Sequence, residues 1–561
     1  MRAGVLCVLF LLVACTPSPQ PSEEPAEYYG TLEPFASEAV YFLLTDRFVD
    51  GDSANNFPEQ GGGPDTRTFD RPIHVPGYDP ANMGYLGGDF KGVLDNAAYI
   101  ANMGFTAIWT TPIVDNPDEA FTGSTVPGRG PGGDRGKSGF HGYWGVNFFV
   151  VDEHLESAGL TFADFTRALR DEHDLKYVLD VVCNHGSPSY TMPADQSKYG
   201  ELYNAAGELV ADHQNLHPSE LDPENPLHAF FNREPGLGEL SDLNENNPEV
   251  LDYFVAAYSQ WLDQGVAAFR IDTIAHMPHA YWKAFADRIR EQRPGLFMFS
   301  ENFAYDADAI APNTWVENGQ ISVLDFPGKQ AMNRVFADGA DYSELTDYLH
   351  LDSGLYDNPY DLMTFYDNHD MDRMNADTQG FIDANNWLFT SRGIPVVYYG
   401  SEIGFEAGTN EHTGNRNYFG QDNVDRAPSH PIHAALTRIA NIRKNSVALQ
   451  RGLQVYTGFG PRSASFFRVY QKDGVRQTAL VLLNGGDEAL TMEFGQLPAE
   501  GAWKDAVTGH VVQVDDGFTG LVEEIAPHGV RVYLNDAPLT HPGFVELLDE
   551  AQAAKARRKT P

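Results

Sequence analysis

A chain of 561 residues is longer than a typical domain of about 100–200 residues and suits a barrel of about 250 residues with additions. Its 42% hydrophobic and 12% aromatic residues supply ample material for packed cores, and no internal stretch approaches the roughly 20 apolar residues that span a bilayer. The formal net charge of −41 argues against nucleic acid or anionic lipid headgroups as partners, because an acidic surface repels both, and it suits a soluble exported protein acting on neutral ligands.

Residues 1–15 read as a processing signal. Arg2 gives a positive start, Val5 to Val13 an apolar stretch, and Leu12-Val13-Ala14-Cys15 resembles a bacterial lipobox, which implies lipidation at Cys15 and a membrane lipoprotein. Thr16 lacks the aspartate linked to inner-membrane retention, so the outer membrane or cell surface is the expected location. Residues 16–37, rich in Pro, Ser and Glu at their start, are expected to form a flexible linker. With Cys7 removed and Cys15 lipidated, Cys183 stands alone, so no intramolecular disulfide is expected and Cys183 reads as a small buried thiol. A monomer is expected.

From residue 38 to 444, short apolar runs alternate with segments of helical period. The runs are Val40–Phe48, Thr106–Val114, Tyr177–Val182, Val266–Thr273, Leu296–Asn302, Ile321–Phe326, Met363–Asp370 and Ile394–Gly400. Eight such runs predict an α/β fold, a (β/α)8 TIM barrel over 38–183 and 243–444, although periodicity alone also allows an open doubly wound sheet. Thr161 followed by Asp164 opens one helix, and Leu251, Phe254, Val255, Tyr258 and Leu262 mark another. Residues 184–242, rich in Pro, Asn, His and Gly, are too long for a simple loop and predict an inserted subdomain after strand 3. The glycine-rich stretch 122–139 is a second excursion on the same face. Alternating strands at Ser465–Gln471, Thr478–Leu483, Ala489–Phe494 and Gly529–Leu534 predict a C-terminal antiparallel β-sandwich over 445–536. Phe544, Leu547, Leu548 and Ala551 predict a helix in a basic tail, 537–561.

Asp180, Asp272, Glu301 and Asp370 close the third, fourth, fifth and seventh runs, where this architecture places its chemistry. Apolar strands avoid ionised groups unless they are paired, so four acids at strand ends need a reason. Arg270, two residues before Asp272, points to the same side of its strand and can keep that carboxylate ionised. Phe297, Phe299 and Phe303 around Glu301 are expected to raise its pKa by desolvation, which separates an acid from a nucleophile.

The segments Asp180-Val-Val-Cys-Asn184-His185, Phe269-Arg270-Ile-Asp272-Thr-Ile-Ala-His276, Phe299-Ser-Glu301-Asn and Phe365-Tyr-Asp-Asn-His369-Asp370, with Leu240-Ser-Asp242-Leu-Asn244 in the insertion, resemble in order and spacing the signature regions of the α-amylase family of glycoside hydrolases. The resemblance spans about residues 38–535. It implies a retaining hydrolase of α-1,4-glucan chains, with Asp272 as nucleophile, Glu301 as general acid/base and Asp370 as transition-state stabiliser. It further implies that Tyr143, His185, Arg270 and His369 hold the sugar at the cleavage point. Trp144 and Phe303 are read as aromatic platforms for sugar faces, and Arg416 as reaching a more distant sugar.

Asp50, Asp52, Asn55 and Asn56, followed by Gly87 and Asp89, supply oxygen ligands suited to Ca²⁺ and resemble a calcium loop of related amylases and cyclodextrin glucanotransferases. A second Ca²⁺ is implied at Asn184, Asp242 and the backbone of His276. Cyclodextrin glucanotransferase activity is the alternative to hydrolysis, but Gly238 stands where those transferases carry a bulky aromatic and Ala275 where they carry lysine. Their additional C-terminal domains are also missing, so water is the expected acceptor. A non-catalytic glucan-binding lipoprotein is disfavoured because all three catalytic acids are present.

Overall fold

The computed structural model describes residues 27–75, 78–125 and 133–555. Cys15 and the rest of the signal segment lie outside the described residues, as do residues 126–132 of the glycine-rich excursion and 556–561 of the basic tail. Each of the eight apolar runs contains one parallel strand: β1 Val40–Leu43, β2 Ala107–Thr110, β3 Lys176–Val181, β4 Val266–Ile271, β5 Phe297–Ser300, β6 Ser322–Val323, β7 Met363–Thr364 and β8 Ile394–Tyr398. Pairing runs from β6 through β5, β4, β3, β2 and β1 to β8 and β7, and a parallel bridge between Leu324 and Met363 joins the two ends. The result is a TIM barrel, not the open sheet that periodicity alone also permitted. β1 and β2 are buried at every position because one side faces the barrel interior and the other the helices.

Apart from β3, the strands are shorter than the apolar runs that predict them. β7 leaves the ladder after Thr364, and the residues that follow carry His369 and Asp370 onto the barrel's C-terminal face. The helix Phe162–His173 starts on a reciprocal capping box between Thr161 and Asp164. Pro248–Asp263 starts from an Asn247 cap with proline in its first turn, and buries Val250, Phe254, Tyr258 and Leu262.

Within 184–242, His185–Pro188 pairs antiparallel with Leu240–Asp242, and Glu201–Tyr203 with Leu209–Asp212. Beyond the barrel, six antiparallel strands form one sheet in the order 453–460, 463–472, 475–484, 529–535, 501–505, 511–514, and 490–494 pairs with 521–525 in a second. The strand period of two divides the middle strand. Leu480 and Leu482 meet Met492, Phe494, Leu521 and Ile525 across the sandwich, while Ala479, Val481 and Leu483 join the barrel's core. A strand buried on both faces fixes the two domains to each other.

The structure corrects the expected flexible linker at its later end. From Tyr29 onward the chain is packed: Tyr29 bridges Gln471, Thr31 N–H donates to Arg451 O at 2.8 Å, and Phe35 stacks on Phe297 at 4.5 Å. Tyr and Phe have apolar faces to bury there, unlike the Pro, Ser and Glu that precede them. The helix Pro542–Lys555 covers this entry: Phe544, Leu548 and Ala551 pack on the sandwich core, Tyr29 OH donates to Asp549 at 2.8 Å, and Lys555 Nζ donates to Gly30 O at 2.6 Å.

Candidate active site

Strand register assembles the acids. Arg270 of β4 lies opposite Asp180 of β3 and Phe299 of β5, so all three project at one level of the barrel. Asp272 N–H donates to Val181 O and Glu301 N–H to Ile271 O, both at 2.8 Å, which extends the ladders by one residue and holds the two carboxyl groups at the mouth. Arg270 has no exposed surface and serves three acids at once. Its Nη1 lies 2.8 Å from both Asp180 Oδ1 and Asp272 Oδ1, and its Nη2 is 2.7 Å from Glu301 Oε2. Asp180 Oδ2 also accepts from Tyr143 OH at 2.9 Å and Trp109 Nε1 at 3.0 Å.

One guanidinium cannot neutralise this many buried carboxylates, so protons must remain in the cluster. Burial pushes Asp180 up to about 7 against the pull of Arg270. Burial, reinforced by Asp370, Asp272 and Asp180, holds Glu301 well above the usual carboxyl range despite Arg270. Glu301 Oε1 is buried with no hydrogen-bond partner among the described residues. A protonated carboxyl with one oxygen uncommitted is equipped to donate to an incoming ligand atom. Of the three phenylalanines expected around Glu301, Phe299 is fully buried at the level of Arg270, edge-on to Trp109 at 5.5 Å. Phe297 sits at the other end of β5 against Phe35, and Phe303 is 52% exposed.

Asp370 closes the opposite side of the cluster. Its Oδ1 pairs with Arg416 Nη2 at 2.5 Å and its Oδ2 lies 3.2 Å from His369 Nε2. Burial holds His369 and His185 below the usual histidine range, so both are neutral near pH 7. His369 stacks on Tyr143 at 5.5 Å. Arg416, expected to reach a more distant sugar, contacts the third acid in this structure, and its Nε also donates to His369 O at 3.0 Å. Trp144 is corrected as well: it is 3% exposed and packs with Phe121, Met192 and Tyr199, so its ring has no face free for a ligand. Phe303 rests on Phe326 at 4.8 Å with its other side open. Sequence reasoning missed Trp109, Lys137 and Glu411, which carry no strand-end signal of their own.

The loop expected to bind Ca²⁺ folds around Asp89, whose carboxylate accepts from Gly51 N, Asp52 N, Gly92 N and Asn55 Nδ2. Asn56 Nδ2 donates to Asp50 Oδ2 at 2.8 Å. The side-chain oxygens of Asn55 and Asn56 are buried with no donor among the described residues. Gly87, at φ +91°, lies so close that a Cβ there would come within 2.5 Å of Asn56 Oδ1. An excess of buried oxygen acceptors over donors fits a hard divalent cation. At the second expected site, Asp242 pairs across the ladder with His185, Leu243 N–H donates to Asn184 O at 2.9 Å, and the Asp242 carboxyl senses His276. Two other groups of close metal-capable side chains, Asp152–Glu153–His154 and Asp115–Asp118–Glu153, were not expected. Internal ion pairs account for much of both: His154 lies 2.8 Å from Asp152, and Lys198 lies 3.3 Å from Asp115 and 3.2 Å from Asp118.

Comparison with known proteins agrees with this geometry. Residues 42–430 match the sequence profile of the α-amylase catalytic domain. A cyclomaltodextrin glucanotransferase of Thermoanaerobacterium thermosulfurigenes is 32% identical over 393 residues, 66% of this chain, and the match spans 50% of that protein's length. An α-amylase of Niallia circulans is 29% identical over 443 residues, covering 76% of this chain and 77% of that one. Among solved structures, a cyclomaltodextrin glucanotransferase with a three-domain ABC distribution superposes with TM-score 0.71 at 27% identity, covering 89% of this chain and 99% of its own.

Proposed function

Because the chain belongs to the α-amylase family, we propose that it hydrolyses α-1,4-glucosidic bonds of starch-type glucans and maltooligosaccharides with retention of configuration. The observation that carries this reading is the single Arg270 guanidinium bonded to Asp272 on one arm and Glu301 on the other. Asp272, ion-paired and facing the cleft, attacks the anomeric carbon, while Glu301 gives its proton to the departing glycosidic oxygen. In the second step Glu301, now a carboxylate, takes a proton from water, and the water oxygen displaces Asp272 from the sugar. Asp370 grips sugar hydroxyls. Neutral His185 and His369 hydrogen-bond the ring substituents, and Tyr143 packs on the sugar.

Cyclising transfer is the second reading, and the transferases among the relatives favour it. Domain count does not separate the two, since one such transferase has a three-domain distribution. The acceptor side supports water. Gly238 has nothing within 4 Å of where its Cβ would stand, so no bulky side chain at that position shapes a curved glucan, and Ala275 offers an acceptor sugar no charge. Ca²⁺ at Asp50, Asp52, Asn55, Asn56, Gly87 and Asp89, and a second ion at Asn184, Asp242 and His276, would brace the cleft walls. We place the protein outside the cell, tethered through lipidated Cys15 to the outer membrane or cell surface, as a monomer.

Chromatography of products from amylose and maltoheptaose, made by residues 28–561 and by its Asp272→Asn variant, tests this reading. Short linear maltooligosaccharides from the unaltered protein, with the variant slower by roughly 10³-fold or more, are expected. Cyclic or lengthened products would replace hydrolysis with transfer, and turnover retained by the variant would remove Asp272 from its role.

A further inference from the structure

The glycine-rich excursion after β2 brings a lysine to the edge of the acid cluster. Lys137 Nζ lies 2.6 Å from Asp134 Oδ1 and 3.7 Å from Glu411 Oε1. Glu411 Oε1 is in turn 3.0 Å from Arg416 Nη1, and Arg416 Nη2 is 2.5 Å from Asp370 Oδ1. Charges therefore alternate along a chain built from the excursion, the segment after β8 and the segment after β7. Lys137 and Arg416 each have only 9% of their side chains exposed, so this is not a solvated surface pair that salt would screen to nothing.

We propose that Lys137 and Glu411 are positioning residues, whose ion pairs hold the Arg416 guanidinium between two carboxylates and so fix the orientation and charge of Asp370. The inference rests on the α-glucan reading of the site. A transition-state stabiliser must exchange its resting partner for sugar hydroxyls. When Asp370 turns to the sugar, Arg416 keeps Glu411 as an acceptor and is not left as an uncompensated buried cation. Lys137 in turn offsets the repulsion that Glu411 exerts on Asp370. The groups facing Asp370 are Arg416 and Glu411 from the segment after β8, Arg270 from β4, Glu301 after β5, Tyr143, and neighbouring His369. Burial pushes the Asp370 carboxyl up, Arg416 pulls it down, Glu411 pushes it up again and Arg270 pulls it down. Burial also opposes the Glu411 charge, but Arg416, Lys137 and His412 together bring that carboxyl down to about 2, so it stays ionised over the working range.

The signs of two substitutions follow from this arrangement. Glu411→Gln removes an anion and lowers the pH at which the buried carboxylates ionise. Lys137→Met leaves Glu411 to draw more fully on Arg416, which Asp370 shares, and so raises it. In profiles of kcat/KM against pH on maltoheptaose, the acidic limb is expected to move by about half a pH unit or more, downward in the first variant and upward in the second. Lys137→Arg keeps the charge and is expected to restore the original limb. Limbs that move in the same direction, or that stay fixed while kcat falls in both variants, would overturn the proposal and leave the chain a purely structural tie. Absence of cleavage by the unaltered protein would instead bring down the reading of the site, and this inference with it.

Discussion

Around Arg270, acidic side chains share one guanidinium that the sequence itself supplies, and one carboxyl oxygen, Glu301 Oε1, is left without a partner. Between Asp50 and Asn56 and across to Asp89 the acids are as dense, yet among the described residues none of Asp50, Asp52 or Asp89 is ion-paired to a cationic side chain, and the partnerless oxygens are the neutral carbonyls of Asn55 and Asn56. The difference separates what each region can do. A built-in cation fixes carboxyl groups at a set spacing and divides protons among them, which suits proton transfer. Oxygens turned inward without a cationic side chain suit a cation drawn from solution, which supplies rigidity.

Replacing the built-in cation breaks the first region. Arg270→Met leaves Asp180, Asp272 and Glu301 buried without their common partner, so turnover of maltoheptaose is expected to vanish and stability to fall by about 3–5 kcal/mol in denaturant unfolding. An active, equally stable variant would show that the guanidinium neither orders nor charges the acids. In the second region, chelation of the unaltered protein is expected to remove about 2–3 kcal/mol relative to an ion present at roughly a hundredfold excess over its dissociation constant. Asn56→Ala should lower the melting temperature and blunt the response to added Ca²⁺; a full response in that variant would move the ion elsewhere. The smallest effect separates two aromatic residues. Phe303→Ala, at an exposed ring, is expected to raise KM for maltoheptaose about fivefold, equivalent to about 1 kcal/mol, with melting unchanged. Trp144→Phe is expected to lower melting and leave KM as it was. The reverse pattern would restore Trp144 as a platform.

The barrel was legible because each strand falls in a mainly apolar run whose charged members, such as Asp180 and Arg270, sit near or past the strand end, and the order of the four strand-end acids needed no structure to read. Strand ends were not legible at that level. Met363–Asp370 reads as one run, but only Met363 and Thr364 stay in the ladder, because His369 and Asp370 turn to pair with each other and with Arg416. The sandwich strands 453–460, 501–505, 511–514 and 521–525 escaped notice because Gly, Gln, Lys or Glu interrupts their apolar pattern and each buries three side chains at most. Trp144 was misplaced because an aromatic next to Tyr143 carries no mark in sequence of which way it faces. Lys137 and Glu411 meet across 274 residues of chain, counted from their numbers, and only the fold joins them.

The packed entry of the chain has a mechanical consequence. Between Tyr29 and Phe35 the backbone crosses the rim of the barrel opposite the acids: Thr31 Oγ1 donates to Asp361, just before β7, and Phe35 covers Phe297, the first residue of β5. About four residues of strand, roughly 13 Å, separate Phe297 from Glu301. Force applied through the segment ahead of Tyr29 is therefore borne by the bridge to Gln471 and by the helix Pro542–Lys555, like a rope made fast to the hull and clear of the hatch. The cleft lies at the other rim and stays clear of that path.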